Sequence, residues 1–446
     1  MNGKGLVLSG GGTKGAFEIG VWKALREKNI PIHTVVGTSV GAINAAAIAQ
    51  NDYETALDFW EQLTINDVIA LNSSMMSKYI NKGTLTSNVT LQLDFIKDIF
   101  DGGLDVSPLR SNLVRLLDED KIRNSPIRLG LVTVNLKTFK PVELMIEDIP
   151  EGRLHDYLMA SAALPIFKLP EIDGATYIDG AFYDNVPINL LLKQNCKDII
   201  AVEFPSFGLR QKIKEHNSQL TVINNSEFLG LTLEFNRDII ARNITMGYLD
   251  TLRTFKYLHG KHYYVDFNQP HPLYKRFNAF IKEPLENDTA RQKVERLLDL
   301  EPDHTKAERR VAFERLCTLC RYPKNEPLLA NMLDITARCV GIQRLTIYEP
   351  DRLILEILKK LNNLTKMHMQ VIKNEKTIAE VFKEGPVDFK PSTLVDFTTF
   401  YVLYVGAKTT LGDTLLSNLI SKLTPEFSVA ILTLMYLQSL LKSIRK

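Results

Sequence analysis

Ser39 stands in Gly37-Thr38-Ser39-Val40-Gly41, between the apolar run Thr34-Val35-Val36 and an alanine-rich stretch over 42–50. That order predicts a strand, a tight turn and a helix. Gly37 and Gly41 leave room where neighbouring backbone would collide with a Cβ, so the turn lifts the serine out of the sheet edge at a helix N-terminus. There the helix dipole and unpaired N–H groups favour a developing oxyanion. The chemistry on offer is nucleophilic attack on a carbonyl. The same residues would also serve as a plain serine cap on a buried helix.

A second turn of the same kind lies upstream, where Gly10-Gly11-Gly12-Thr13-Lys14-Gly15 follows Gly5-Leu6-Val7-Leu8-Ser9 and precedes Ala16, Ile19, Val21, Trp22 and Leu25 at near-helical spacing. Glycines before a helix start let several backbone N–H groups point at one anion, as in an oxyanion hole or a phosphate cradle. Lys14 would add a positive charge. Gly10, Gly12 and Gly15 also satisfy a dinucleotide-binding fingerprint, but that reading needs an acidic residue at the end of the second strand, which here ends in Gly37-Thr38-Ser39. A Walker loop needs Gly-Lys-Ser/Thr at the helix start, and this chain has Lys14-Gly15-Ala16.

A serine nucleophile needs a base. The eight histidines are His33, His155, His216, His259, His262, His271, His304 and His368, and none falls in a recognisable strand-end loop. Three Asp-Gly pairs are the better candidates. Asp101-Gly102 follows an amphipathic stretch and reads as a helix C-terminal turn. Asp173-Gly174 separates two short apolar runs and has the signature of a two-residue hairpin turn. Asp179-Gly180 ends Tyr177-Ile178 and opens a loop braced by Asn185 and Pro187, from which a carboxylate could reach the serine.

Together these residues resemble the patatin-like phospholipase family, over residues 4–267 and in four ordered motifs. In that family a GGGxR/KG turn forms the oxyanion hole, a GxSxG elbow carries the nucleophile, and the Asp of a DG[GA] motif completes a Ser-Asp dyad without histidine. The resemblance assigns Gly10, Gly11, Gly12, Lys14 and Gly15 to the oxyanion turn, Ser39 to the nucleophile and Asp179 to the dyad acid. The block 160–167, Ala-Ser-Ala-Ala-Leu-Pro-Ile-Phe, and the Asn185 and Pro187 positions also fit. Lys14 replaces a common Arg and Ala181 a common Gly, so a positive charge is kept without a planar fork.

The family implies a lipid acyl hydrolase of phospholipase A or lysophospholipase type, a carboxylic-ester hydrolase of lipid degradation. It would act through a Ser39 acyl-enzyme, with Asp179 as base, no metal and no cofactor. An aspartate near its ordinary pKa of about 3.9 is a poor base for a hydroxyl, so the oxyanion contacts are expected to supply most of the transition-state stabilisation. The competing reading is a catalytically weak scaffold whose helical C-terminal half binds a partner or membrane.

The elements that must position these residues alternate. Strands are expected at 5–8, 34–36, 128–135, 142–146, 176–178, 198–204 and 261–267, and helices at 15–28, 40–50, 53–63, 153–163 and 186–194. That pattern predicts an α/β fold, a mostly parallel central sheet flanked by helices, in a catalytic domain over 1–267. Active residues then belong at strand C-terminal ends. An amphipathic insertion at 63–117 reads either as a lid or acyl-pocket wall or as plain packing against the sheet. Residues 268–446 follow proline-rich 270–284 and predict a mainly α-helical C-terminal domain, with a helical stripe through Leu353, Ile357, Leu361 and Leu364.

Composition limits the partners. A net charge of +2 over 446 residues, with no basic run interleaved with aromatics, predicts no nucleic-acid binding. The expected partner is a phospholipid or other fatty-acyl ester, with peripheral membrane contact allowed and no protein partner indicated. Four cysteines, with Cys317 and Cys320 in helical context, read as buried thiols of a reducing compartment. No signal peptide precedes the first strand, and the apolar stretch 427–441 is short of the roughly 20 residues that span a bilayer. The expectation is a cytoplasmic location, with 427–441 as a core helix in preference to an interfacial anchor.

Overall fold

The computed structural model describes residues 4–70, 103–215, 217–267, 272–282, 288–322, 324, 326–372 and 425–444. The chain divides into two units, Met1–Thr254 and Phe255–Lys446.

The first unit is built on one sheet. Its strands are β1 (Lys4–Leu8), β2 (Ile32–Thr38), β3 (Arg128–Asn135), β4 (Lys140–Met145), β5 (Glu171–Ile172), β6 (Ala175–Asp179), β7 (Asp198–Glu203) and β8 (Gln219–Asn224). They lie in the order β5-β6-β3-β2-β1-β7-β8, with β4 also paired to β3. The central run β3-β2-β1-β7-β8 is parallel, and β4 and β6 run antiparallel to β3. Leu6, Val7, Leu8, Val35 and Val36 are completely buried, as expected of strands covered by helices on both faces. The helices α1 (Ala16–Glu27), α2 (Val40–Gln50) and α3 (Tyr53–Gln62) follow β1 and β2. The expected α/β class is therefore the observed one.

Two strands depart from expectation. β8 was not anticipated: Gln219–Asn224 is an edge strand, half-buried over most of its length, so its sequence lacks the apolar run of a central strand. The 261–267 strand shrinks to Tyr264–Val265 and pairs with Ile347–Tyr348, not with the central sheet. The division between units accordingly falls after Thr254, ahead of the 267/268 position suggested by composition.

The second unit is mainly helical. Its core gathers Phe277, Phe280, Phe313, Leu333 and Ile357, together with Val429–Leu437 side chains of helix Pro425–Ile444 such as Leu432 and Tyr436. The C-terminal apolar stretch is thus a core helix of this unit. Cys317 and Cys320 are free and buried, and burial pushes the Cys320 thiol up to about 12. Among the described residues no helix is long and apolar enough to cross a membrane, and no cluster of metal-binding side chains is present.

Candidate active site

The elbow is held by close backbone approach. A Cβ on Gly37 would lie 2.2 Å from the Gly41 carbonyl oxygen, and one on Gly41 would lie 2.6 Å from that of Leu8. Between them Ser39 adopts φ 57° and ψ −130°, a strained conformation for a residue with a side chain. Its hydroxyl makes no capping hydrogen bond to α2, so the helix-cap reading is not how the side chain is used. The Ser39 N–H instead donates to Ser161 Oγ at 3.0 Å, and Ser161 donates to the Val132 carbonyl at 2.7 Å. Ser161 thereby ties the elbow to β3. The small-residue block was visible in the sequence, but a bond across 122 residues was not.

Asp179 arrives by a different route. Ile172 and Ala175 pair across Asp173 and Gly174, whose φ values of 53° and 75° are the left-handed pair a tight two-residue hairpin turn requires. β6 then runs back antiparallel to β3 and ends with Asp179 opposite Thr133. β4 takes one side of β3 along 130–135; on the other, the same side as β6, Thr38 at the end of β2 pairs with Val132, so β2 and β6 meet end to end. Ser39 and Asp179 are therefore brought together along one side of β3, each at the C-terminal end of its strand as expected, although β6 runs antiparallel to β3. The Asp179 N–H donates to the Ala163 carbonyl at 2.9 Å, so the block 160–167 holds both residues.

Asp179 is fully buried. Its Oδ1 accepts the Ala181 N–H at 2.8 Å, while Oδ2 has no partner of normal hydrogen-bond geometry. Burial raises the carboxyl to about 7; the Ala181 amide and the nearby Ser39 hydroxyl pull the other way. The carboxyl thus holds its proton far more tightly than an exposed aspartate, a property that depends on tertiary burial and could not be read from sequence.

The glycine turn distributes its roles unevenly. The Gly10 N–H is committed to the Asn185 carbonyl at 3.2 Å, and Asn185 Nδ2 returns a bond to the Gly10 carbonyl at 3.1 Å. The Lys14 ammonium donates to the Pro205 carbonyl at 2.8 Å and clasps the loop after β7, so it is spent on structure. The Gly15 carbonyl accepts from Asn44 Nδ2 at 3.0 Å. Gly12 sits at φ 60°, and a Cβ there would lie 2.0 Å from the Thr232 carbonyl oxygen. No hydrogen bond from the N–H of Gly11, Gly12 or Val40 is present among the described residues. Val40, directly after the serine, was not singled out from sequence, although the residue after an elbow nucleophile commonly donates to the oxyanion.

An apolar cavity of about 110 Å³ opens beside Ser39, Gly12 and Val40. One face of α2 runs along it through Ile43, Asn44, Ala47 and Gln50. At 1.5 Å per residue that face is roughly 10 Å long. Leu63, Val68, Leu109 and Leu113 line the cavity as well, so both ends of the 63–117 insertion contribute wall; residues 71–102 lie outside the described residues. No histidine lines it among the described residues. Beneath the cavity, Asn44 donates to Glu18 Oε2 at 2.8 Å and accepts from Trp60 Nε1 at 3.0 Å. Burial raises the Glu18 carboxyl to about 8, against weaker opposition from Asn44 and the Ser9 amide. Sequence reasoning passed over Glu18, because an acid in the first turn of a helix is ordinary dipole compensation.

Residues 6–192 match the family model described as patatin-like phospholipase. A patatin-like phospholipase domain-containing protein of Caenorhabditis elegans is 27% identical over 210 residues, covering 46% of this chain and 14% of that protein. The lysophospholipase NTE1 of Mycosarcoma maydis is 24% identical over 206 residues, covering 45% of this chain and 10% of that protein. The chain thus spans a small part of the length of these relatives. Among solved structures, VipD from Legionella pneumophila is 14% identical with a TM-score of 0.37, covering 93% of this chain and 94% of that one. Over residues 6–192, then, this chain is similar to the patatin-like phospholipase family.

Proposed function

We propose that the chain is a lipid acyl hydrolase of phospholipase A or lysophospholipase type, with Ser39 as nucleophile and Asp179 as base. The observation that carries this reading is an apolar cavity that opens at Ser39, whose hydroxyl lies near the buried Asp179 carboxyl. In the reaction the fatty-acyl chain lies in the cavity along α2. Asp179 takes the Ser39 proton as Oγ attacks the ester carbonyl, and the N–H groups of Gly11, Gly12 and Val40 receive the oxyanion. Collapse breaks the ester bond, and the alcohol leaves with the proton from Asp179. Water, deprotonated by Asp179, then attacks the acyl-serine; collapse breaks the acyl–Oγ bond, releases the fatty acid and returns the proton from Asp179 to Ser39 Oγ. Every step is acyl and proton transfer, for which these residues suffice without a cofactor.

Fatty-acid release from phospholipid and lysophospholipid vesicles, with Ser39→Ala as control, tests the function. The expected result is release by the wild type and none by the variant. Equal release by both would overturn the assignment.

A further inference from the structure

In the described part of the first unit six large apolar side chains are exposed: Val114, Phe139, Phe207, Leu209, Phe228 and Leu231. Five of them share one edge of the sheet. β1, β2, β3, β7 and β8 are mutually parallel, so the segments leaving their C-terminal ends emerge together. The glycine turn follows β1 and Ser39 follows β2. Phe139 lies in the turn after β3, Phe207 and Leu209 in the loop after β7, and Phe228 and Leu231 in the loop after β8.

Both of the longer loops are bonded to the glycine turn. Lys14 Nζ donates to the Pro205 carbonyl at 2.8 Å, and the Thr13 N–H donates to the Thr232 carbonyl at 2.9 Å. The Phe207 ring packs edge-on against Phe182, three residues beyond Asp179, with centroids 5.4 Å apart. Leu233 and Phe235, just after Leu231, line the cavity at Ser39. The exposed apolar groups of the loops after β7 and β8 are therefore tied to the mouth of the cavity.

Phe139 is the most telling of them. It is 79% exposed and has φ 52°, a backbone conformation in which glycine or asparagine fits with less strain. A bulky apolar ring in that position buries little in the fold. Charge points to what covers it. Around Phe139, Phe207 and Leu209, segments 136–140 and 205–212 contain Lys137, Lys140, Arg210 and Lys212 and no acidic residue, whereas the loop with Phe228 and Leu231 carries Glu227, paired with Arg242, and Glu234. Arg210 also pairs with Glu203. Aromatic and leucine side chains flanked by cations are the composition of a surface that sits in the headgroup region of an anionic bilayer.

We infer that Phe139, Phe207, Leu209, Phe228 and Leu231 form a membrane-docking edge that seats the mouth of the Ser39 cavity on the surface of an anionic phospholipid bilayer. An acyl chain then passes from bilayer to cavity without crossing water. The inference rests on the proposed hydrolase for its purpose, but the binding itself is measurable without catalysis.

The experiment uses the full chain carrying Ser39→Ala, with vesicles of phosphatidylcholine alone or mixed with phosphatidylglycerol. Tryptophan is placed singly by Phe139→Trp, Phe207→Trp and Phe228→Trp, with the exposed Val311→Trp of the second unit as control. The expected result is a blue shift of emission for the first three with mixed vesicles and none for the control. The triple change Phe139→Glu, Phe207→Glu and Phe228→Glu is expected to weaken vesicle association at least about tenfold. In the Ser39 enzyme it should cut hydrolysis of vesicle lipid in parallel, while hydrolysis of a soluble short-chain ester stays within about twofold. No blue shift, or vesicle association unchanged by the triple change, would overturn the docking edge. So would a triple variant that turns a dimer into a monomer without altering vesicle association, since the surface would then join two copies of the chain. Docking through this edge without any ester hydrolysis by the wild type would support the inference and overturn the proposed function.

Discussion

Two buried aspartates, one in each unit, differ in how far their carboxylates are hydrogen-bonded, and the difference separates a structural acid from the one proposed as base. Asp334, in the helical unit, is fully buried and its carboxyl is pushed up by burial, as Asp179's is. Asp334 Oδ2, however, accepts three backbone N–H groups, from Lys261, His262 and Tyr263, at 2.8, 2.9 and 2.8 Å. Its Oδ1 accepts the Tyr322 hydroxyl at 2.5 Å. Asp179 accepts one amide and leaves Oδ2 open near a strained serine. Burial and a raised pKa are common to both. The open oxygen is not, and it is the feature that leaves Asp179 able to take a proton.

Substituting each aspartate should therefore give opposite phenotypes. Asp179→Asn is expected to lower ester hydrolysis by roughly 10³-fold or more with the melting temperature unchanged or raised, because the amide keeps the Ala181 bond and removes a buried acid. Asp334→Ala is expected to leave three buried donors without an acceptor and to cost roughly 3 kcal/mol or more of stability in thermal or denaturant unfolding. Asp179→Asn unfolding the chain, or Asp334→Ala leaving stability intact, would erase the contrast.

The oxyanion donors sharpen the same distinction between spent and available groups. Gly12→Val puts a branched Cβ against the Thr232 carbonyl and should lower the rate about 10²- to 10³-fold. Lys14→Met, which releases only the Pro205 carbonyl, should have a much smaller effect on initial rates with a soluble ester. A reversed order would mean that the lysine charge acts on the substrate.

Glu18 offers the smallest and most conditional effect. Its folded value of about 8 lies above the ordinary 4.5, so the folded state holds a proton that the unfolded chain has released. Its contribution to stability is complete below about pH 4.5 and is lost as pH rises through about 8. Glu18→Gln keeps a neutral side chain, so its stability relative to wild type should improve as pH is raised across that window, by on the order of a few kcal/mol. Parallel stability-versus-pH curves for the two proteins would contradict this.

What the sequence disclosed was what is local. The elbow, the glycine turn and the Asp173-Gly174 hairpin each rest on a few adjacent residues whose backbone needs only glycine or a left-handed turn pair can meet. What it hid depends on partners far along the chain. The pairing along β3 that brings Asp179 to Ser39, the Ser161 bridge, the commitment of the Gly10 N–H to Asn185 and the burial that raises Asp179 are all long-range. The short strand at Tyr264–Val265 makes the same point: its apolar residues are strand-forming, but nothing local says that they pair with Ile347–Tyr348 instead of joining the main sheet.

The central claim is that Asp179, through its open oxygen, activates Ser39. Its most direct test is the rate of covalent modification of the protein by a fluorophosphonate, followed by intact mass and peptide mapping as a function of pH. The account predicts a single adduct on Ser39, formed at a rate that rises with pH through about 7 as Asp179 loses its proton, and formed far more slowly and without that rise in Asp179→Asn. An adduct on another residue, or modification of Ser39 at the wild-type rate in Asp179→Asn, would contradict it.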